Sequence, residues 1–211
     1  MSTIRFDENE FTKLKSLLSS YEWAQRTMLT KLSIIQDSYK HDGSSPIGYV
    51  ASRIKSPESI AGKLHKQGFA ITASNAKKHL KDIAGIRIIC PYARDITILA
   101  NLIREMPEMR ILSEKDYVTN PKPSGYRSYH MILQVPIYYS GITEKIDIEI
   151  QIRTEGMNFW ATLEHQAKYK YAGELPPHLS NELIICADKI FELDSRMFLI
   201  HEIISLINDD M

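Results

Sequence analysis

The sequence predicts an α/β (α+β) protein in which helices flank a mixed central sheet of about five strands. The first observation is strict alternation over residues 146–153, where isoleucine occupies every second position. The second is an apolar strand segment, Ala84–Cys90, followed by a helical segment near Asp95–Glu105. The third is a pair of terminal segments with helical periodicity, which predict long helices at about residues 7–39 and 179–207.

The N-terminal helix is predicted by composition and spacing, because residues 7–39 contain no glycine or proline. Apolar side chains recur there at three- and four-residue steps, at Phe11, Leu14, Leu18, Tyr21, Met28, Leu32 and Ile35. A second helix is expected to begin after Ser56, which can cap it, with Pro57 in its first turn. It should reach about Gln67 and stop at Gly68.

The remaining elements follow from turn residues and periodicity. Strands are predicted near residues 110–117 and 128–138, with a loop rich in proline and glycine at 120–125 between them. The alternating strand places Ile146, Ile148, Ile150 and Ile152 on one face and Asp147, Glu149, Gln151 and Arg153 on the other. A helix from Glu155 to about Tyr171 should end at Gly173, and two prolines precede the last helix.

Length and composition restrict the class of protein. A chain of 211 residues, 44% hydrophobic and 25% charged, predicts one ordinary globular domain. No apolar stretch is long enough to span a membrane, and the N-terminus lacks the apolar region of a signal peptide. We therefore expect a cytoplasmic protein without a membrane partner. Cys90 and Cys186 are expected to be buried free thiols, which leaves neither a disulfide framework nor a structural zinc site.

The net charge of zero hides an uneven distribution. Residues 53–94 contain nine Lys or Arg against two acidic residues, whereas residues 174–211 contain eight acidic residues against two basic ones. A concentrated positive field favours a polyanion, either nucleotide phosphates or a nucleic-acid backbone. Charge alone is equally consistent with solvated helix faces.

Two carboxylates carry the predicted chemistry. Asp82 stands in the basic segment just before a predicted strand, and Glu149 lies on the polar strand face. Mg²⁺ typically takes one or two carboxylates together with phosphate oxygens and waters, so both residues could hold one ion. Lys55, Lys63 and Lys81 would then offset phosphate charge. The alternative is a strand face that simply meets water.

The loop after Asn120 offers a second feature. Tyr126 stands between Gly125 and Arg127, where its ring could stack on a base or could serve only the fold. Neither a Walker phosphate loop nor the glycine pattern of dinucleotide-binding proteins occurs in the sequence.

Five motifs in order closely resemble the synthetase domain of the RelA/SpoT family. They are Arg53-Ile54-Lys55, residues 82–87, Asp116-Tyr117 with residues 121–128, residues 149–154, and residues 157–161 with Glu164-His165. Within the family the chain resembles the small stand-alone alarmone synthetases of the RelP or RelQ type. The motifs cover about residues 45–171, which implies a nucleotidyltransferase-like core between long terminal helices. The resemblance implies a magnesium-dependent enzyme that transfers the pyrophosphate of ATP to the ribose 3′-hydroxyl of GDP or GTP and releases AMP.

The resemblance also implies roles for single residues. Asp82 and Glu149 would hold Mg²⁺, and Glu149 would also accept the proton of the attacking hydroxyl. The ATP site would comprise Arg53 and Arg87 around adenine, with Lys55, Ser59 and Lys63 on the phosphates. The acceptor site would comprise Tyr126 stacked on guanine, with Gln151, Asn158, His130, Lys122 and Arg127 around the nucleotide.

Some family properties do not transfer by matching residues. His41-Asp42 is an isolated pair, so no alarmone hydrolysis is expected. Residues 113–116 match the family's acceptor-tuning motif only in part, which leaves the choice between GDP and GTP open. A homotetramer built through the terminal helices is implied, with apolar stripes at Leu14–Leu18 and Ile203–Ile207. Regulation through a central alarmone cleft near residues 49–52 is not carried over.

Two other functions compete with this interpretation. An RNA-binding module would use the basic segment for the phosphate backbone and tyrosines for stacking, but it leaves Asp82 and Glu149 without a task. A nucleotidyltransferase that attaches a nucleoside monophosphate would use a similar pair of carboxylates, but the Gly-Ser start typical of such enzymes is missing.

Overall fold

The computed structural model describes residues 5–39, 44–171 and 175–209. In chain order the elements are α1 (Glu8–Ser38), β1 (Tyr49–Ile54), α2 (Pro57–Lys66), α3 (Ala73–His79), β2 (Ala84–Cys90), α4 (Ala93–Arg104), β3 (Arg110–Asp116), β4 (Tyr129–Tyr139), β5 (Ile142–Thr154), α5 (Glu155–Lys170) and α6 (Pro177–Asp209). The pair His41-Asp42 lies outside the described residues.

The strands form one mixed sheet in the order β1-β2-β5-β4-β3. β2 and β5 run parallel, and the other neighbouring strands run antiparallel. The register places Gly85 opposite Glu149 and Arg87 opposite Gln151. The odd-numbered residues of β2 and β5 therefore share one face of the sheet. The predicted fold class, a central mixed sheet flanked by helices, is confirmed.

The two faces of β5 differ as the alternation predicted. Ile146, Ile148, Ile150 and Ile152 are each at most 1% exposed and join residues of α1 and α4 in one apolar core. Burial of each such side chain contributes roughly 1.5–3 kcal/mol. On the opposite face Asp147 and Arg153 are themselves buried. The polar face is therefore not a simple water-facing surface.

The N-terminal helix α1 covers the core. Asp7 caps it, because its Oδ1 accepts a hydrogen bond from the Glu10 amide at 2.8 Å. Leu14 is fully buried, and Leu18 packs against the same core. The predicted use of a Leu14–Leu18 stripe for assembly is therefore wrong, since the chain's own core takes up this stripe.

The second helix forms as predicted and positions residues of the polar face. The Ser56 hydroxyl accepts a hydrogen bond from the Ser59 amide at 3.3 Å, and Pro57 opens α2. Gly68 follows the helix with φ of +77°, a conformation that glycine adopts without steric strain.

Periodicity missed two elements. Every residue of β1 is exposed or half-buried, so this edge strand has no buried apolar alternation to detect. Helix α3 has only seven residues, which is too short for a clear helical period.

The C-terminal helix α6 lies against α5 and leaves much of its surface open. Cys186 is exposed on it, so the prediction of a second buried thiol is wrong, whereas Cys90 in β2 is buried. The exposed large apolar side chains of α6 include Leu193, Met197, Leu199, Ile200, Ile203, Ile204, Leu206 and Ile207. Among the described residues, no helix combines the length and apolar character that a bilayer crossing needs.

Candidate active site

The polar face of the sheet carries a cleft at the junction of β1, β2 and β5. The cleft has a volume of about 180 Å³. Its lining consists of Ala51, Ser52, Arg53, Gly85, Ile86, Arg87, Glu149 and Gln151. A wider cleft of about 660 Å³ lies between the start of α1 and the start of α2, but none of the predicted site residues lines it.

Beside this cleft lies a cationic cluster, formed by Lys55, Lys63 and Asp82. Both ammonium groups donate to the same oxygen, Asp82 Oδ2, at 2.5 Å from Lys55 and 2.8 Å from Lys63. The other oxygen, Oδ1, is buried and has no hydrogen-bond partner. Burial works to raise the pKa of Asp82, but the two lysines outweigh it and hold the pKa below its usual value. The carboxylate is therefore ionised at neutral pH.

Two arginines line the cleft on neighbouring strands. Arg53 in β1 stands opposite Gly85, and Arg87 in β2 stands opposite Ala51, so both side chains lie on one face. Burial, together with the charges of Arg153 and Arg53, lowers the pKa of Arg87, and its Nε is buried without a partner. This concentration of positive charge suits an anionic ligand.

Asn158 of α5 connects Arg87 to the edge of the sheet. Its Oδ1 accepts from Arg87 Nη1 at 3.4 Å, and its Nδ2 donates to the Tyr49 hydroxyl at 3.4 Å. The amide is thus placed at the rim of the arginine-lined cleft.

Glu149 lies at the centre of the polar face. Gln151 Nε2 donates to its Oε2 at 2.9 Å, and His130 Nδ1 lies 3.5 Å from its Oε1. Burial works to raise the pKa of Glu149, and the charge of Asp82 does the same. The contacts from His130 and Gln151 outweigh both, so the pKa lies below its usual value. Glu149 is therefore a partly buried, ionised carboxylate within electrostatic range of Asp82.

Tyr126 is held on several sides. Its hydroxyl hydrogen-bonds to His130 Nε2 at 2.8 Å and accepts from Arg153 Nη2 at 2.5 Å. The Lys122 ammonium lies 4.8 Å from the centre of the Tyr126 ring and 4.7 Å from that of Tyr117. These contacts fix both the ring and the hydroxyl of Tyr126.

A tight turn delivers Tyr126 to this position. The Gly125 amide donates to the Lys122 carbonyl at 2.8 Å, and Gly125 has φ of +89°. A Cβ atom at Gly125 would lie 2.8 Å from Cβ of Ala187 and 3.3 Å from Cα of Ile184 in α6. The turn is therefore seated directly on α6, where only glycine fits.

The structure gathers most of the predicted site residues, and it places two of them differently. Ser59 lies in the first turn of α2, where its amide donates to the Ser56 hydroxyl at 3.3 Å. Arg127 points to α6: its Nη1 donates to the Val118 carbonyl at 2.7 Å, and its guanidinium lies over Phe191 and reaches Asp188 at 3.3 Å. These contacts belong to the packing of the loop on α6.

Sequence reasoning gave no role to three residues that the structure brings into the site. Arg153 contacts Tyr126, Tyr117 contacts Lys122, and Tyr49 contacts Asn158. Only Arg153 had a signal, since it shares the polar face of β5 with Glu149 at a spacing of four residues.

Comparisons with known proteins give matches over most of the chain. A family model described as a region found in RelA / SpoT proteins matches residues 52–174. The GTP pyrophosphokinase YwaC of Bacillus subtilis (strain 168) is 42% identical over 184 residues, which cover 87% of this chain and 88% of the relative.

Two solved structures cover nearly the whole chain. The small alarmone synthetase 2 from Bacillus subtilis superimposes with a TM-score of 0.81 at 40% identity, covering 89% of this chain and 97% of that one. The small alarmone synthetase 1 from Bacillus subtilis, bound to its product pppGpp, gives a TM-score of 0.81 at 32% identity, covering 90% and 97% of the two chains.

Proposed function

The chain belongs to the RelA/SpoT family, and from this premise we propose that it is a (p)ppGpp synthetase. In the proposed reaction the pyrophosphate of ATP is transferred to the ribose 3′-hydroxyl of GDP or GTP, and AMP is released. The enzyme would act in the cytoplasm, where these nucleotides are available, and residues 45–171 would form its catalytic core. The relatives named GTP pyrophosphokinase and the neighbour bound to pppGpp support this proposal.

The observation that carries the proposal is a pair of ionised carboxylates beside a group of cations. Asp82 is close enough to Glu149 for its charge to work towards raising the Glu149 pKa. Lys55 and Lys63 pair with Asp82, and Arg53 and Arg87 line the cleft with Glu149. Phosphoryl transfer depends mostly on positioning and on neutralising charge, which is what such a group of residues supplies.

The two carboxylates fit a magnesium ion. Asp82 Oδ1 is buried without a partner, so it offers an acceptor that a cation would satisfy. No set of three or more His, Cys, Asp or Glu side chains suited to a metal occurs among the described residues. Two carboxylates are nonetheless enough for Mg²⁺, which takes its remaining ligands from phosphates and water. The bound ion would supply charge neutralisation on the nucleotide phosphates.

The chain's own residues would perform the remaining tasks. Glu149 would accept the proton of the 3′-hydroxyl, a task for which it must be ionised. Lys55 and Lys63 each retain two further N–H donors beyond the bond to Asp82, and these would hold ATP phosphates. Arg53 and Arg87 would stack on adenine, which suits planar and weakly hydrated guanidinium groups.

The acceptor nucleotide would lie against Tyr126. The Lys122 ammonium now lies near this ring, so guanine would take part of its place while Lys122 turns towards the phosphates. Gln151, His130 and Asn158 would place the ribose and the base close to Glu149.

We also propose that the chain forms a homotetramer through α6. Exposed apolar side chains at Leu193, Met197, Ile200, Ile204 and Ile207 recur at helical spacing on this helix. Contiguous exposed apolar surface on a soluble protein generally marks an interface, and the proposed occupant is a second copy of this chain. The double variant Leu193→Glu/Ile200→Glu should lower the mass measured by light scattering, and an unchanged mass would contradict this assembly.

The central test is a product analysis. Purified protein is incubated with Mg²⁺, ATP labelled on the γ-phosphate, and either GDP or GTP, and the nucleotides are separated. We expect label in a guanosine tetra- or pentaphosphate, with AMP formed in step, and the two acceptors are ranked in the same experiment. Label released as free pyrophosphate with no labelled guanosine product, or no labelled nucleotide at all from folded protein that binds Mg²⁺-ATP, would overturn the proposal.

The variant Glu149→Gln tests the proposed base. The change is nearly isosteric and removes the charge, so we expect kcat to fall by roughly 10²–10⁴-fold. The matched control is Glu144→Gln on the same strand, where the carboxylate contacts Ser20, Lys77 and Tyr139 instead. Turnover retained by Glu149→Gln would show that another group accepts the proton.

A further inference from the structure

Five side chains of the polar face form a closed side-chain ring. Arg153 Nη2 contacts Tyr126 Oη at 2.5 Å, Tyr126 Oη contacts His130 Nε2 at 2.8 Å, and His130 Nδ1 lies 3.5 Å from Glu149. The return path runs from Arg153 Nη2 to Gln151 Oε1 at 2.9 Å and from Gln151 Nε2 to Glu149 at 2.9 Å. The ring connects the tyrosine proposed for stacking with the carboxylate proposed as the base.

The chemistry of Arg153 fixes the direction of the bonds at its own end of the ring. A guanidinium group can only donate, so Tyr126 Oη accepts from Arg153, and the direction of its bond to His130 Nε2 depends on the tautomer of the imidazole. The other ring nitrogen of His130, Nδ1, faces Glu149. Along the other path Gln151 presents its oxygen to Arg153 and its amide N–H to Glu149. Both paths start at a donor and end on a carboxylate that only accepts.

Burial of the Arg153 cation is also unfavourable for stability. Its side chain is 5% exposed, and among the described residues its hydrogen-bond acceptors are the neutral oxygens of Tyr126, Gln151 and Ser128. A buried cation without a carboxylate partner loses hydration that neutral acceptors restore only in part. Replacing a buried cation by an apolar side chain of similar volume is often neutral or stabilising, so stability alone does not explain this arginine.

We propose that Arg153 is a positioning residue of the acceptor site, which fixes the Tyr126 ring relative to Glu149 through the side-chain ring. It touches neither nucleotide in this assignment and acts through Tyr126 and Gln151. The inference rests on the proposed function, because it gives Arg153 a task only if Tyr126 holds the acceptor and Glu149 receives its proton.

The test is a double-mutant cycle on Arg153→Lys and Tyr126→Phe. Lysine keeps the charge but cannot donate to both Tyr126 and Gln151, and phenylalanine keeps the stacking ring but removes the hydroxyl. We expect each change to lower kcat/KM for the acceptor roughly ten-fold, while KM for ATP stays near the wild-type value. The loss in the double variant should be smaller than the product of the two single losses, because both changes break the bond between Arg153 and Tyr126.

A matched pair elsewhere in the chain serves as control. Arg104 Nη2 donates to the Tyr129 hydroxyl at the same 2.5 Å, at the exposed edge formed by α4, β3 and β4. Arg104→Lys and Tyr129→Phe should leave both kinetic constants near those of the wild type. A merely structural arginine at 153 would instead lower the thermal midpoint and both substrates' kcat/KM together.

The outcomes separate this inference from the proposed function. If the wild-type protein forms no alarmone, the proposed function is contradicted. The same cycle is then measured with the dissociation constant of GDP, and the free-energy changes of the two substitutions must again be less than additive. Effects of Arg153→Lys and Tyr126→Phe that multiply, or an Arg153→Lys variant that matches Arg104→Lys, overturn the inference. Should Arg153→Lys not fold, wild-type kcat/KM in Tyr126→Phe overturns it equally.

Discussion

The cationic cluster lies just outside β1 and β2, and the side-chain ring lies around the polar face of β5; the two are held together by different interactions. In the cluster two ammonium groups share one oxygen of Asp82, and its other oxygen has no partner. In the ring four hydrogen bonds and one 3.5 Å contact between His130 and Glu149 link the five side chains. Without a ligand the cationic cluster keeps a buried oxygen with no partner, Asp82 Oδ1, whereas every member of the side-chain ring contacts two others. The comparison indicates that one region supplies charge and the other supplies position.

The largest effect is expected from a variant that disrupts the cationic cluster of Lys55, Lys63 and Asp82. Asp82→Asn removes the charge that pairs with Lys55 and Lys63 and one of the two proposed magnesium ligands. We expect kcat to fall roughly 10³-fold in a steady-state assay, since electrostatic groups of an active site act at this scale.

The control for this change is Asp147→Asn. Asp147 is buried on the polar face of β5 and pairs with Lys81 at 2.6 Å and Gln134 at 2.9 Å, outside the cluster. Equal losses in both variants would mean that the face needs negative charge in general and that Asp82 has no special role.

An intermediate effect is expected at Tyr126, the member of the side-chain ring that is proposed to stack on the acceptor nucleotide. Tyr126→Ala should weaken binding of GDP or GTP by about 1–3 kcal/mol, because it removes a stacking surface, and it should leave ATP binding unchanged. Isothermal titration with each nucleotide measures both quantities. Tyr138→Ala, at a tyrosine that is 76% exposed on β4, is the control. Unaltered acceptor affinity would return Tyr126 to a purely structural role.

The smallest effect is expected when the two lysines of the cationic cluster are replaced in turn and the variants are compared. Lys55 is 12% exposed and Lys63 is 38% exposed, although both bind the same oxygen. Lys55→Met should therefore lower the free energy of unfolding by about 1–3 kcal/mol, and Lys63→Met by less than about 1 kcal/mol. Chemical denaturation of the two variants gives the comparison. The reverse order would show that burial does not set the strength of these ion pairs.

Sequence patterns identified those parts of the site that depend on a single element. Alternation placed Glu149 on a polar strand face, and the structure confirms that face. The isolated carboxylate at Asp82 lies beside cations, as its sequence setting indicated. Both conclusions needed only local periodicity and local charge.

The rest depends on contacts between distant segments. The bond from Arg153 to Tyr126 joins residues 27 positions apart on β5 and a loop, so neither segment reveals it alone. Arg127 is adjacent to Tyr126 in sequence, but it points to Asp188 and Phe191 of α6, because the turn at Gly125 sends neighbouring side chains in different directions. The roles of these two arginines could not be separated without the fold.

The close contact between Gly125 and α6 has a mechanical consequence. The gap between this turn and the backbone of α6 cannot hold even one methyl group. Close-packed contacts of this kind transmit displacement instead of absorbing it. A shift of α6 towards the turn would therefore displace Gly125 and, with it, the next residue in the chain, Tyr126. The helix that presents the apolar outer surface is thus in direct contact with the turn that carries the ring proposed to stack on the acceptor.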